Sequence, residues 1–259
     1  MSQSSNLAEI QDAPVERQAS EDGLAPALAS VQNLLRDRFA GRAIRIYEAG
    51  GGSTSYLPPD LLSTADITMV DIDDTQLQNN QYARSKICGD IQLQRFPPRS
   101  FDLIACYNVI EHIERPDRAI DNFLEALAPG GLTFIAAPNP QSFSGLATRY
   151  TPHWFHVWFY RALLGCKDAG KPGNPPFPVV YHPLVSPQRL IEFCKSRGCR
   201  ILYFRQFESS HLGTLRQKLP IVAGVLSAVI RALEIVSRQN LRSGDFHIVI
   251  EKAASPAVG

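Results

Sequence analysis

The sequence lacks an excess of charge of either sign. Its 26 lysine and arginine residues nearly balance 25 aspartate and glutamate residues, so the 259-residue chain carries a net charge of +1. No long basic stripe stands out of the kind that nucleic-acid-binding proteins use against phosphate. The composition therefore makes no electrostatic case for a nucleic-acid partner, and we expect none.

Cysteine is also scarce, and its spacing fits neither disulfides nor zinc. The five cysteines are Cys88, Cys106, Cys166, Cys194 and Cys199. An odd, scattered set is unlike the framework of a small secreted protein. No second pair of cysteines or histidines completes a zinc spacing with the two closest cysteines. We therefore expect reduced thiols and no metal.

A secretory signal is missing from the beginning of the sequence. Residues 1–25 are polar and contain no apolar stretch long enough for a signal peptide. We predict that they form a disordered arm and that residues 26–259 form the folded domain. We also predict a cytoplasmic location.

Apolar runs of strand length alternate with helix-like segments in the first half of the chain. The predicted strands are residues 42–49, 66–71, 85–90, 100–109 and 131–140. Such alternation predicts an α/β fold, with a doubly wound and mostly parallel sheet covered by helices on both faces. Ligands of these sheets bind outside the carboxyl ends of the strands.

The alternation is interrupted twice in the second half. Residues 138–186 are aromatic and rich in proline and glycine, and we predict a cap inserted after the fifth strand, with a helix near Trp154 to Leu164. Residues 208–243 form a second insertion, a helical segment with the apolar run Leu219 to Ile230. Arg231 follows that run, which we expect to be too short to span a bilayer.

A glycine-rich turn follows the first predicted strand, in the stretch YEAGGGST. No lysine follows the glycines, so a phosphate loop is excluded. A dinucleotide fingerprint would use Gly50 and Gly52, but Ser55 occupies the place of its third glycine. The serine weakens the dinucleotide interpretation without excluding it. The third alternative is a nucleoside that carries an amino acid in place of phosphate.

Three carboxylates at strand ends favour the third alternative. Glu48 would repel a pyrophosphate but attract an ammonium group. Asp71 ends the second strand, where a carboxylate can accept both hydroxyls of a ribose. Asp90 ends the third strand and can accept a bond from an adenine amino group, while we expect Asp74 to cap the following helix. Ammonium, ribose and adenine in this order describe S-adenosylmethionine.

The ordered motifs resemble those of a known family. EAGGGST, VDIDD, CGDIQ, FDLIACYNVIEHI and LAPGGLTFIAAPNP are similar to successive motifs of the class I S-adenosylmethionine-dependent methyltransferases. The group that includes the ubiquinone-biosynthesis O-methyltransferases is the most similar. The resemblance covers roughly residues 44–139, and it implies a Rossmann-like fold whose last strand is antiparallel.

The resemblance also implies roles for individual residues. Residues that would hold the methionine end are Glu48, Gly50 and Gly52. Asp71 would bind the ribose with Ile72 against the adenine, and Asp90 with the backbone of Ile91 would bind the adenine edge. Tyr107 and Asn108 would lie under the sulfonium.

Histidines are the candidates for proton transfer, because a histidine has a pKa suited to that work. We predict His112, in VIEHI, and His182, beside the cap, as catalytic residues. A base is needed only if the acceptor begins protonated. Both residues also have the plainer interpretation of loop or packing residues.

The aromatic stretch HWFHVWFY in the cap has two interpretations. It forms either a lid packed on the sheet or an element that lies at a lipid surface, since tryptophan and tyrosine favour that boundary. In the ubiquinone-type relatives an insertion at this place is linked to membrane association. Peripheral contact with the inner membrane face is therefore one of the expectations.

The leading hypothesis from the sequence is a methyltransferase. It would transfer the methyl group of S-adenosylmethionine to oxygen, nitrogen or carbon of a small or lipid-like acceptor under the cap. The alternatives are an NAD-dependent dehydrogenase or epimerase, against which Ser55 and Glu48 argue, and a methyltransferase-like binding subunit without activity.

Overall fold

The computed structural model of the protein describes residues 23–171 and 174–253. Most of the predicted N-terminal arm, residues 1–22, lies outside these described residues. The first helix, α1, begins at Leu24, within the last residues assigned to the arm.

Seven strands and nine α-helices make up the described part of the chain. The strands are β1 (Arg45–Ala49), β2 (Asp66–Asp71), β3 (Ser85–Cys88), β4 (Phe101–Tyr107), β5 (Leu127–Pro138), β6 (Cys199–Phe207) and β7 (Asp245–Lys252). The helices are α1 (Leu24–Phe39), α2 (Pro59–Thr64), α3 (Asp74–Asn79), α4 (Pro116–Ala126), α5 (Phe143–Tyr150), α6 (His153–Ala162), α7 (Pro187–Ser196), α8 (Ser210–Lys218) and α9 (Pro220–Ser237).

One sheet contains all seven of these strands, in the order β3-β2-β1-β4-β5-β7-β6. The pairs from β3 to β5 are parallel, and β7 runs antiparallel to both β5 and β6. The predicted fold, a mostly parallel doubly wound sheet with an antiparallel last strand, is confirmed. The strand order reverses beside β1, and this is where such sheets bind ligands.

Helices cover both faces of the sheet because their apolar residues recur on one side. In α1, the buried residues are spaced by four and form one stripe: Ala27, Val31, Leu35 and Phe39. Val31, Leu35 and Phe39 of this stripe and Leu61 of α2 belong to the apolar core of one face. Phe123 of α4 and Leu190 of α7 belong to the core of the other.

The register of the strands brings the predicted site residues to one edge. Val70 pairs with Ala49 at the end of β1, and Asp71 pairs with Cys88 at the end of β3. Tyr107 pairs with Ala136 in β5. The carboxyl ends of four strands therefore meet at the same edge of the sheet.

Two local expectations were wrong. The amphipathic stretch RPDRAIDNFLEALAPGG predicts a helix closed by its Pro-Gly-Gly, but residues 129–131 lie inside β5, where the register with β4 shifts and Gly130 adopts φ +72°. Asp73, and not Asp74, caps α3, since its carboxylate accepts from the Gln76 N–H at 3.1 Å. Asp74 is already the first helical residue.

Both segments that interrupt the alternation contain helices among their described residues. Residues 138–186 contain α5 and α6, one helix more than expected, and residues 208–243 contain α8 and α9. The assignment of these segments as cap and second insertion stays a prediction. The expectation that the second apolar run is too short for a membrane needs correction. Helix α9 continues through Arg231 to Ser237, and its 18 residues with a mean hydropathy of 1.8 suffice, by length and composition, to cross one.

Candidate functional site

The glycine turn after β1 requires bare backbone. Gly50 adopts φ +72° and Gly52 φ +56°, which side chains disfavour. A Cβ atom on Gly50 would lie 2.5 Å from Cγ2 of Val109, in the loop after β4. The turn is therefore compatible with glycine alone at this position.

Asp71 holds the turn in place from the neighbouring strand. One carboxylate oxygen accepts from the Gly52 N–H at 2.8 Å, and the other accepts from the Asp73 N–H at 2.9 Å. The Asn80 side-chain amide donates to the Gly52 carbonyl at 3.1 Å. The backbone carbonyl of Asp71 also accepts from the Gly89 N–H at 2.9 Å, which ties the end of β3 to the end of β2.

Glu48 has a carboxylate oxygen without a partner. The residue is 4% exposed, and Oε1 accepts a short hydrogen bond from the Ser55 hydroxyl. The other oxygen, Oε2, is buried and has no hydrogen-bond partner among the described residues. Burial raises the pKa of Glu48 to about 7, and the Ser55 bond opposes that shift. An ammonium group at this position would satisfy Oε2 and favour the charged carboxylate.

The predicted adenine contacts lie at the ends of β2 and β3. Ile72 follows Asp71 directly and is 79% exposed, unusual for a side chain of its kind. The Asp90 carboxylate accepts from the backbone and the side chain of Gln92 at 2.8 and 3.0 Å. Ile91 is buried in the core, so only its backbone is suited to a ligand.

Tyr107 and Asn108 lie at the end of β4, in front of the glycine turn. The Tyr107 ring stacks on Tyr56, with centroids 3.7 Å apart and planes at 10°. Asn108 is strained at φ +54°, and its N–H donates to the Ala136 carbonyl at 2.9 Å. A positive φ is uncommon in residues other than glycine. At Asn108 it turns the chain away from the direction of β4.

These residues fit S-adenosylmethionine. Glu48 and Gly52 could hold its amino-acid end, and Asp71 its ribose. The exposed Ile72 side chain offers an apolar surface for the adenine base. A cation would satisfy the unpartnered Oε2 of Glu48. The same carboxylates would repel the phosphates of a dinucleotide. A hydrogen bond joins the glycine turn to Asp71. Glu48 and Asp90 lie at the ends of β1 and β3, at the same edge of the sheet.

A cavity of about 720 Å³ opens on the other side of Tyr107 and Asn108. Its walls come from α5, α6, α8, α9, the segment 175–185 and the start of β7. The lining is mostly aromatic and aliphatic. Of the predicted cofactor residues, Tyr107 and Asn108 line it, and the others do not. The strand end of β4 thus separates a polar crevice from an apolar cavity.

Helix α6 carries the aromatic stretch, whose contact with lipid stays a prediction. Phe155, Phe159 and Tyr160 line the cavity, whereas Trp154 and Trp158 are exposed. The spacing of these two sets places them on different sides of one helix. One side of the helix is a wall of the cavity, and the other carries two exposed tryptophans whose rings contact Phe155.

Both predicted catalytic histidines line this cavity. His112 Nδ1 lies 2.7 Å from the Pro178 carbonyl, and burial lowers the pKa of His112. Its Nε2 lies 3.6 Å from Oε1 of Glu111. His182 Nδ1 accepts from the Leu184 N–H at 3.1 Å, which leaves Nε2 for other contacts. Their catalytic role stays a prediction.

The sequence analysis missed the acidic side chains of the cavity. Glu111 is 4% exposed, and Asp245 at the start of β7 is half-buried. Tyr160 and His211 face the same cavity, with the hydroxyl and Nε2 2.8 Å apart. Glu111 immediately precedes His112, and an acid in a buried loop was the available signal. Asp245 begins an apolar strand, and nothing local announced its position.

The comparisons with known proteins agree on the domain. Residues 47–135 match the model of a family described as "Methyltransferase domain". A ubiquinone biosynthesis O-methyltransferase of Coxiella burnetii is 25% identical over 135 residues, which are 52% of this chain and 51% of that protein. The chain spans about half, or less, of the length of the curated relatives that it matches.

Solved structures share the fold at low sequence identity. A putative sarcosine dimethylglycine methyltransferase from Galdieria sulphuraria superposes with a TM-score of 0.54 at 13% identity, covering 87% of this chain and 84% of that one. The [4+2]-cyclase SpnF gives 0.53 at 14% identity, covering 87% and 82%. The predicted fold is confirmed, and residues 47–135 match a methyltransferase domain, as the sequence motifs indicate.

The bare turn can be tested with two glycine-to-alanine variants. Gly50→Ala should lower the free energy of unfolding by more than the ~1–2 kcal/mol of a left-handed residue, because its Cβ also meets Val109. Gly213→Ala, in α8 with nothing within 4 Å, should be neutral or stabilising. Urea unfolding measures both. Equal stability of the two variants would show that the turn is not constrained as described.

Proposed function

We propose that the protein transfers a methyl group from S-adenosylmethionine to an acceptor bound in the cavity, since residues 47–135 form a class I methyltransferase domain. The single observation that carries the proposal is the arrangement of Asp71, the glycine turn and the unpartnered Glu48 oxygen. When bound, S-adenosylmethionine supplies an electrophilic methyl group. The protein contributes the alignment of acceptor and methyl donor.

The division of the site supports this function. The crevice at the ends of β1 and β2 has the polar groups for an amino-acid end and a ribose. The cavity has the apolar walls for a separate second molecule. Tyr107 and Asn108 belong to both, so they lie where the two molecules would meet. A short distance between reactants there would supply most of the catalysis.

We propose that the acceptor is lipid-like. The cavity is larger than most amino acids need, and its lining is dominated by aromatic and aliphatic side chains. Helix α9 contributes Leu226 and Ile230 to the lining, so an apolar wall separates the cavity from the outer face of this helix. An amphiphile could place its head near Tyr107 and its tail toward α9.

The outer face of α9 supports a peripheral membrane location reached from the cytoplasm. Its exposed apolar residues recur every three or four positions: Val222, Val225, Val229, Leu233 and Val236. Trp154 and Trp158 are exposed on α6. Large exposed apolar patches of this kind mark interaction sites. Ala223 and Ile230 are buried, so α9 is anchored on the protein and could lie along a lipid surface.

Calorimetric titration with S-adenosylmethionine tests the function. Asp71→Asn should weaken binding about tenfold or more, because the bonds of the carboxylate to the ligand and to the Gly52 N–H are charge-assisted. Asp66→Asn, at the exposed beginning of the same strand, should bind like the wild type. Thermal unfolding shows that each variant is folded. Equal binding by all three proteins would exclude the proposed site.

Liposome flotation tests the membrane contact. Vesicles of phosphatidylethanolamine and phosphatidylglycerol should carry the wild type upward, whereas Val225→Glu/Val229→Glu should stay below because two charges oppose burial in lipid. Thr75→Glu/Asn79→Glu on exposed positions of α3, with the same spacing and charge, is the matched control. It should float like the wild type. A wild-type protein that remains in the soluble fraction would remove the membrane proposal.

A further inference from the structure

Two residues that line the cavity have a buried polar atom without a hydrogen-bond partner among the described residues. Oε2 of Glu111 and Nδ1 of His247 are both buried and have no hydrogen-bond partner among the described residues. Both residues line the cavity beside Tyr107, and the His247 and Tyr107 ring centroids lie 5.7 Å apart. Unpaired buried polar groups are rare in native structures and call for a reason. A ligand with a polar head is such a reason.

Two carboxylates face this cavity together. Burial raises the pKa of Glu111 to about 8, with a hydrogen bond from its own backbone opposing the shift and the nearby charge of Asp245 adding to it. Burial likewise raises the pKa of Asp245 to about 6, against a hydrogen bond from Ser209. Two acids that are close enough to influence each other favour a cation between or beside them.

The remaining lining is compatible with a cation. The stacked Tyr56 and Tyr107 rings lie at the cavity with Phe177 and Phe207, and aromatic faces attract cations. Burial lowers the pKa values of His211 and His247. These imidazoles are therefore neutral at pH 7 and do not repel a cation.

Further titratable groups line the cavity or lie next to Glu111. They are Tyr56, Cys106, Tyr107, His112, His156, Tyr160, Tyr181, His182, His211, Asp245, His247 and Arg242. Arg242 is the one permanent cation among the described lining residues, and its backbone N–H donates to Glu234 of α9 at 2.9 Å. An anionic head paired with Arg242 is therefore the alternative that an experiment must separate.

We propose that the acceptor carries an amine, whose ammonium form binds between Glu111 and Asp245. This rests on the proposed function and narrows its substrate to a basic amphiphile. Glu111 accepts one proton from the ammonium, which becomes a neutral amine, while the carboxylate becomes a carboxylic acid. The nitrogen then has a free electron pair with which to attack, and Asp245 keeps its negative charge beside the head.

Three eight-carbon probes test the head group while the tail stays constant. Calorimetry compares octylamine, octanol and octanoate at pH 8, with and without S-adenosylhomocysteine. Octylamine should bind about tenfold or more tightly than octanol, as expected for a hydrogen bond to a buried charged group. Octanoate should bind most weakly. Tighter binding of octanoate than octylamine would assign the head site to Arg242 and overturn the proposal.

Isosteric variants show whether Glu111 and Asp245 cause the preference for octylamine over octanol. Glu111→Gln and Asp245→Asn should each reduce the octylamine-to-octanol affinity ratio severalfold and leave octanol binding unchanged. Glu114→Gln, the same change at an exposed position in the same loop, should retain the ratio. Circular dichroism checks folding, and if one variant does not fold, the wild-type ratio and the other variant still decide. An unchanged ratio in both folded variants would overturn the proposal.

The pH dependence supplies a second readout. An alkylamine stays protonated below about pH 10, whereas the free Glu111 carboxyl loses its proton near pH 8. Octylamine should therefore bind more tightly as the pH rises from 6.5 to 8.5, and Glu111→Gln should flatten this rise. Binding that is independent of pH in the wild type contradicts the proposal. Failure of S-adenosylmethionine to bind would instead remove the proposed function and leave the probe result standing.

Discussion

The hydrogen bond from the Gly52 N–H to the Asp71 carboxylate is the interaction on which the site depends. It joins the turn after β1 to the end of β2 at 2.8 Å and fixes both of the elements that face the cofactor crevice. The Asn80 amide holds the other side of the same glycine. A backbone bond from the Gly50 N–H to the Val70 carbonyl, at 2.7 Å, joins the same turn to β2.

Much of the cofactor side of the molecule could be predicted from the sequence, because the signals for its strands and turns are local. Alternating apolar runs indicate the strands, and parallel strands bring Glu48, Asp71 and Asp90 to one edge wherever helices separate them. The errors were also local. A choice between Asp73 and Asp74 as the cap depends on one residue of helix phase, and the bulge in β5 depends on the register with β4.

The acceptor side could not be predicted in the same way, because it is assembled from distant segments. Glu111 and Asp245 are separated by more than a hundred residues and come together only through the insertion of β7 beside β5. Helix α9 shows the same limit. Its composition indicates an apolar helix, but only the packed structure shows that Leu226 and Ile230 face the cavity while Val225 and Val229 face outward.

The central claim is that the crevice holds an amino-acid tail through Glu48 and the glycine turn. The most direct measurement compares the affinities of S-adenosylhomocysteine, methylthioadenosine, which lacks that tail, and NADH. The account predicts that S-adenosylhomocysteine binds most tightly, that Glu48→Gln removes much of its advantage over methylthioadenosine, and that NADH does not compete. Equal affinity for the first two ligands, or displacement of both by NADH, would contradict the account.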